Sequence, residues 1–99
     1  MNPQLAGGTE GDNLGRRFRE SREHAGLTQQ AAAKSIGLSA GQLGRIERGG
    51  VSMVAEPGTI VRAARIYGVP QAWLYAGAMA AARLVPAWYS LQPEARAAA

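Results

Sequence analysis

Ninety-nine residues allow one domain with a small core, one that buries roughly 60–70% of the surface its unfolded chain exposes. There is no cysteine, which excludes disulfides, thiolate metal sites and thiol redox chemistry, and no run of about 18 apolar residues exists to span a bilayer. The formal net charge is +4, and between residues 13 and 65 nine basic side chains face four acidic ones, a balance that draws a domain to phosphate backbones and anionic surfaces.

Residues 1–12 carry Pro3, Gly7, Gly8 and Gly11 with little apolar content and are expected to form a mobile arm. The arm holds Glu10 and Asp12 but no Lys or Arg, so it lacks the chemistry of a basic minor-groove arm. No basic segment followed by an apolar stretch opens the chain, and an intracellular, cytoplasmic protein is expected. A first helix is predicted over about residues 13–25, with Leu14, Phe18, Ser21, Arg22 and Ala25 on one face, Asp12 as its N-cap and Gly26 as its stop. His24 is the only histidine and reads as a surface residue near the helix end.

Next comes TQQAAAKSIGLSAGQLGRIERGG, residues 28–50, which reads as two short helices joined by a tight turn. Thr28 caps the first, Ala31, Ala32, Ala33 and Ile36 continue it, and Gly37 stops it in the left-handed conformation that glycine enters without steric cost. Ser39 and Gln42 form an S-x-x-Q capping box for the second, with Leu38 and Leu43 as a hydrophobic staple. That helix runs to Arg48 and ends at Gly49-Gly50, completing a helix-turn-helix pattern. Residues 50–58 form a linker whose apolar members are Val51, Met53 and Val54. A fourth helix follows over about residues 57–67, opened by Pro57, with Ile60, Ala63, Ala64 and Tyr67 as its core stripe and Gly68 as its stop. A fifth begins near Pro70 and carries Trp73 and Leu74. From Ala78 onward alanines favour helix until Pro86, and residues 92–99 read as frayed.

The pattern Thr28-Gln29, Ala33, Gly37, Ser39 and Arg45-Ile46-Glu47-Arg48-Gly49 resembles the helix-turn-helix of Cro/repressor-type (XRE-like) transcription regulators. Leu14-Gly15-Arg16-Arg17-Phe18, Arg22 and Gly26-Leu27 fit its first helix, and Thr59-Ile60, Ala64, Tyr67-Gly68-Val69, Trp73-Leu74 and Gly77 fit its last two. The resemblance implies an all-α, five-helix lambda-repressor-like domain over residues 13–77, with a short C-terminal extension over residues 78–99. Against the family pattern, Ser21 and Ala32 are small while Phe18 and Tyr67 are large, which reads as compensating core volumes.

By position, the resemblance places the second helix of the motif in the major groove, with Ala40, Gly41, Gln42 and Arg45 nearest the base edges. Arg45 has the fork to bond guanine O6 and N7 together, and Ala40 can touch a thymine methyl group. Gln42 serves either the capping box or readout. Gly41 and Gly44 each weaken the helix by roughly 1 kcal/mol against alanine. Gly41 lets the backbone approach DNA, and Gly44 either does the same or packs against the preceding helix. Gln29 is implied to bond a phosphate, with Arg16, Arg17, Lys34 and Arg48 as further phosphate contacts. The linker is a second candidate for phosphate contact or for packing over the domain edge. Arg22 and Glu47 hold the positions of an ion pair that ties the first helix to the reading helix.

These readings point to a sequence-specific double-stranded DNA-binding regulator, a repressor of phage type or an antitoxin-like one with a toxin as partner protein, and not to an enzyme. No cofactor, metal or membrane is called for. The alternative is a protein-interaction module that keeps the fold with weak DNA binding. One reading helix spans few base pairs, so a homodimer on an inverted repeat is expected. Its candidate interface is Met79, Leu84, Val85, Trp88, Tyr89 and Leu91, apolar groups enriched in the aromatics that interface centres favour. The competing expectation is that this stretch folds back onto the domain's own core.

Overall fold

Asn13 opens the first helix: its side-chain Oδ1 accepts from the Arg16 backbone N–H at 2.8 Å. The computed structural model describes residues 12–49 and 57–89, and among them the regular structure is helical with no strand. Five α-helices follow one another: α1 Leu14–His24, α2 Gln29–Ile36, α3 Ala40–Glu47, α4 Pro57–Tyr67 and α5 Gln71–Ala76. Two short 3-10 turns, Gly77–Met79 and Ala82–Leu84, carry the chain onward.

The helix ends are set locally. Thr28 Oγ1 accepts from Ala31 N–H at 3.1 Å, and at Ser39 both arms of the capping box are made, with Gln42 Oε1 accepting from Ser39 N–H at 2.8 Å. Gly37 sits at φ 93°, which lets the Leu38 N–H turn back to Ala33 O at 2.8 Å and closes α2 before the turn into α3. Asp12 is not the cap of α1. Its carboxylate accepts from Arg17 Nη1 and from the Tyr89 hydroxyl, both at 2.8 Å, so the shorter Asn13 one residue on has the capping geometry. Ala25 is exposed, and the buried stripe of α1 ends earlier than its apolar pattern suggests.

α1 packs on α3, α4 and α5, while α2 packs on α3 and α4. Phe18, Ile36, Leu43, Ile46, Trp73 and Leu74 are sealed at the centre, joined by the α4 stripe Ile60, Ala63, Ala64 and Tyr67. Ser21 and Ala32 are fully buried as well, and Phe18 meets Tyr67 edge-on with ring centroids 6.2 Å apart. Leu38 lies partly buried against the same core.

The C-terminal stretch folds back. Tyr89 is a core residue at 6% exposure, and Leu84, Val85 and Trp88 pack partly buried against the core. Tyr89 meets Trp73 at 4.8 Å and Trp88 meets it at 6.1 Å, both edge-on. Arg16 lies over the Tyr89 ring at 4.8 Å from its centroid. His24, exposed as expected, stacks parallel on Trp88 with centroids 4.3 Å apart. Tyr89 is therefore withdrawn from the candidate dimer interface, since its ring and hydroxyl are both satisfied within the chain. Leu84, Val85 and Trp88 keep only partial exposure, and of the described members of the named set Met79 alone is largely exposed. Leu91, the frayed end 92–99, the arm before Asp12 and the linker's Val51, Met53 and Val54 lie outside the described residues.

Truncating Tyr89 removes a buried aromatic ring, and Tyr89→Ala is expected to lower stability by about 3 kcal/mol in urea unfolding. A loss below about 1 kcal/mol would place this segment outside the cooperative core.

Candidate nucleic-acid interface

α3 is held from below by one carboxylate. Glu47 is buried at its C-terminal end, where a negative charge faces the negative end of the helix dipole and needs partners. Arg22 of α1 supplies two bonds, Nε to Oε2 at 2.8 Å and Nη2 to Oε1 at 3.1 Å. Gln29 at the start of α2 adds a third, Nε2 to Oε1 at 2.9 Å, and Arg22 Nη1 donates onward to Leu27 O at 2.9 Å. Glu47's hydrogen bond, opposed by desolvation, holds the Arg22 guanidinium above its usual range, so it stays cationic wherever the domain folds. Three helices thus meet on one residue.

Gly15 makes that meeting possible. A Cβ there would stand 2.7 Å from the carbonyl oxygens of both Ile46 and Glu47, so α1 lies directly on the last turn of α3. Seven residues on, along the same face of α1, Arg22 reaches the Glu47 carboxylate.

Above this support the outer face of α3 is exposed at Ala40, Gly41, Arg45 and Arg48. Among the described residues no carboxylate pairs with Arg45, Arg48 or the exposed Lys34 of α2. Gln42 is half-buried, with its Oε1 accepting from the Ser39 N–H, which engages one of that oxygen's two lone pairs. Gly41 faces open space, with nothing nearer to a Cβ than Ser39 Oγ at 3.9 Å. Gly44 is buried instead, against the Gln29 amide of α2 and the Arg48 guanidinium.

Two of the expected phosphate contacts are turned inward. Arg16 is buried, with Nε donating to Glu20 Oε2 at 2.9 Å and its guanidinium over Tyr89. Arg17 is buried too, donating from Nε to Leu74 O and from Nη2 to Tyr75 O, each at 2.9 Å, and so closing the carbonyl end of α5. Neither presents a cation to a phosphate in this fold. Arg62, counted only toward the basic balance, donates from Nε to Ile36 O at 2.7 Å and braces the turn of the motif. Pairing removes Glu20 and Glu47 from the surface along with Arg16 and Arg22, so the outer surface stays basic. No sequence signal separates an inward arginine from an outward one. Only the packing of α1 on α5 does.

The spacing of capped α2, Gly37 turn and capped α3 agrees with a family model described as Helix-turn-helix domain, which matches residues 13–74. The chain belongs to the helix-turn-helix family. That agrees with its resemblance to Cro/repressor-type (XRE-like) regulators. No curated protein and no solved structure matches it. Among the described residues, no helix is long and apolar enough to cross a membrane, and no group of His, Cys, Asp and Glu is arranged to hold a metal ion.

Glu47→Ala would leave Arg22 with only the exposed Glu23, 3.9 Å away, as a counter-charge and is expected to cost about 3–5 kcal/mol. Exposed Glu23→Ala is expected to stay within roughly 0.5 kcal/mol in the same thermal or urea melts, and equal losses would refute the support role. The two helix glycines should respond with opposite sign: Gly15→Ala loses about 1–3 kcal/mol by overpacking, while Gly41→Ala gains up to about 1 kcal/mol from helix propensity.

Proposed function

We propose that this helix-turn-helix protein is a sequence-specific double-stranded DNA-binding repressor that acts as a homodimer on an inverted-repeat operator. The observation that carries the reading is the outer face of α3. Arg45 stands exposed there with no carboxylate partner among the described residues, on a helix braced from behind by Glu47, Arg22 and Gln29. A preorganised helix with an uncommitted guanidinium suits the major groove, where Arg45 reads guanine while Ala40 and Gly41 allow close approach. Lys34, Arg48 and the remaining amide N–H of Gln29 take backbone phosphates.

With two short side chains at the start of α3, base readout is narrow, and DNA shape supplies part of the specificity. Dimerisation supplies the rest, through two exposed apolar side chains, Tyr75 of α5 and Met79 of the turn that follows it, in place of the inward Tyr89. A repressor works on the genome, which goes with the cytoplasmic placement expected of the chain. An antitoxin-like role would add a toxin as a second partner.

The test is selection of bound duplexes from a random DNA pool, followed by footprinting and light scattering of the complex. An inverted repeat covered by two subunits is expected. The log–log salt slope of the affinity should be roughly −4 if Lys34 and Arg48 of each subunit neutralise phosphates. Arg45→Ala should relax preference at one base position, whereas Lys34→Ala should weaken all duplexes alike. A flat salt response, or equal binding to every duplex, would leave the protein-interaction reading.

A further inference from the structure

Arg17 of α1 is buried, and each of its three guanidinium nitrogens is engaged. Nε donates to Leu74 O and Nη2 to Tyr75 O, each at 2.9 Å, while Nη1 donates to Asp12 Oδ1 at 2.8 Å. α5 depends on that hold. It spans six residues, too short to be stable alone, and its start at Pro70 has no side-chain cap. Gly77 follows it at φ 57° with its backbone against the guanidinium: a Cβ there would stand 2.7 Å from Arg17 Cζ. Five residues further along α1, about 140° around the helix, Arg22 grips Glu47 at the end of α3. One helix therefore holds the end of α5 by one arginine and the end of α3 by another. Among the described helices α1 is the one that packs on both, and the other route from α5 to α3 runs through α4 and α2 in turn.

We infer that Arg17 is a positioning residue for operator spacing: by tying the end of α5 to α1 it sets the surface at Tyr75 and Met79 relative to the reading helix α3, and so the separation of the two reading helices in a dimer. The inference rests on the dimeric repressor reading above and adds to it the residue that measures the distance between half-sites. Tyr75 is 60% exposed and Met79 91%, and the Tyr75 carbonyl that Arg17 binds belongs to the residue that presents the exposed ring. In a two-fold dimer, a displacement of that surface against α3 counts twice, once per subunit. One base pair is about 3.4 Å along the duplex, so a shift of about 1.7 Å per subunit moves the fit by a whole base pair. Burial of Trp73 and Leu74 keeps α5 on the core, but apolar contact is non-directional. Three hydrogen bonds from one rigid planar group are directional, and they fix the last turn. Without them α5 stays attached while its end shifts.

The experiment measures binding of the full chain to duplexes carrying the two half-sites of the selected inverted repeat. Their spacer has the selected length or is changed by one or two base pairs, and a further duplex carries one half-site alone. Wild type is expected to prefer one spacer by about tenfold or more, since a wrong spacer forfeits simultaneous engagement. Arg17→Met is expected to cut that preference to about twofold, with affinity for the single half-site within about twofold of wild type. Ile60→Val, a core truncation outside the contact of α1 with α5, should keep the wild-type preference. Should Arg17→Met fail to fold, Arg17→Lys takes its place: it keeps the charge beside Asp12 but lacks the planar fork, and the same loss of spacer preference is expected. Folded Arg17 variants that keep the wild-type preference overturn the inference alone. So does a loss matched in Ile60→Val, or one in which single-half-site affinity falls as far as affinity for the repeat. Wild type that binds every spacer equally, or only as a monomer, overturns the dimer reading and the inference with it.

Discussion

The structure depends on one buried carboxylate. Glu47 ends α3 where the helix dipole repels it, and it is tolerable only because Arg22 and Gln29 surround it with three donor bonds. Those donors come from α1 and α2, so satisfying the charge also sets the position of both helices against α3. The close pass of α1 at Gly15 brings Arg22 within reach, and the Arg22 bond to Leu27 O carries the same network into the turn before α2. A removable apolar contact would let α3 rock. A bidentate ion pair has one geometry, and a helix that reads DNA needs one.

Arginine has two uses in this small domain. A core of this size leaves helix ends near the surface with unmet carbonyl groups, and guanidinium groups meet them: Arg17 at the end of α5, Arg62 at the end of α2, Arg22 at Leu27. The remaining cations on α2 and α3, Lys34, Arg45 and Arg48, stay outward and uncommitted. The division follows position. Residues facing a neighbouring helix end find carbonyl oxygens or carboxylates, and those on the outer face of the motif find no carboxylate among the described residues.

The segment after α5 completes the domain. Trp73, Trp88 and Tyr89 meet edge-on, Arg16 covers one end of the group and His24 the other, and the Tyr89 hydroxyl returns to Asp12 at the start of α1. Burial, then the hydrogen bond to Asp12, pushes the Tyr89 phenol above its ordinary range, so it remains a neutral donor to that carboxylate. The start of α1 and the segment after α5 are thereby tied together, through Asp12, Arg17 and Tyr89.

What the sequence by itself determined lies within about four residues along the chain. The Thr28 and Ser39 caps, the Gln42 return bond, the Gly37 stop and the span of α4 are all i to i+3 or i+4 relations, for which backbone geometry leaves few alternatives. The Arg22–Glu47 pair, 25 residues apart, was legible only through family resemblance. Tertiary structure alone decided that Arg16 and Arg17 turn inward while Arg48 turns out, that Asn13 caps α1 while Asp12 bridges to Tyr89, and that Tyr89 is core. The physical reason is that an arginine or a tyrosine has the same local pattern in either role. Its side chain is directed by partners such as Leu74 O, 57 residues away from Arg17, which no local spacing reveals.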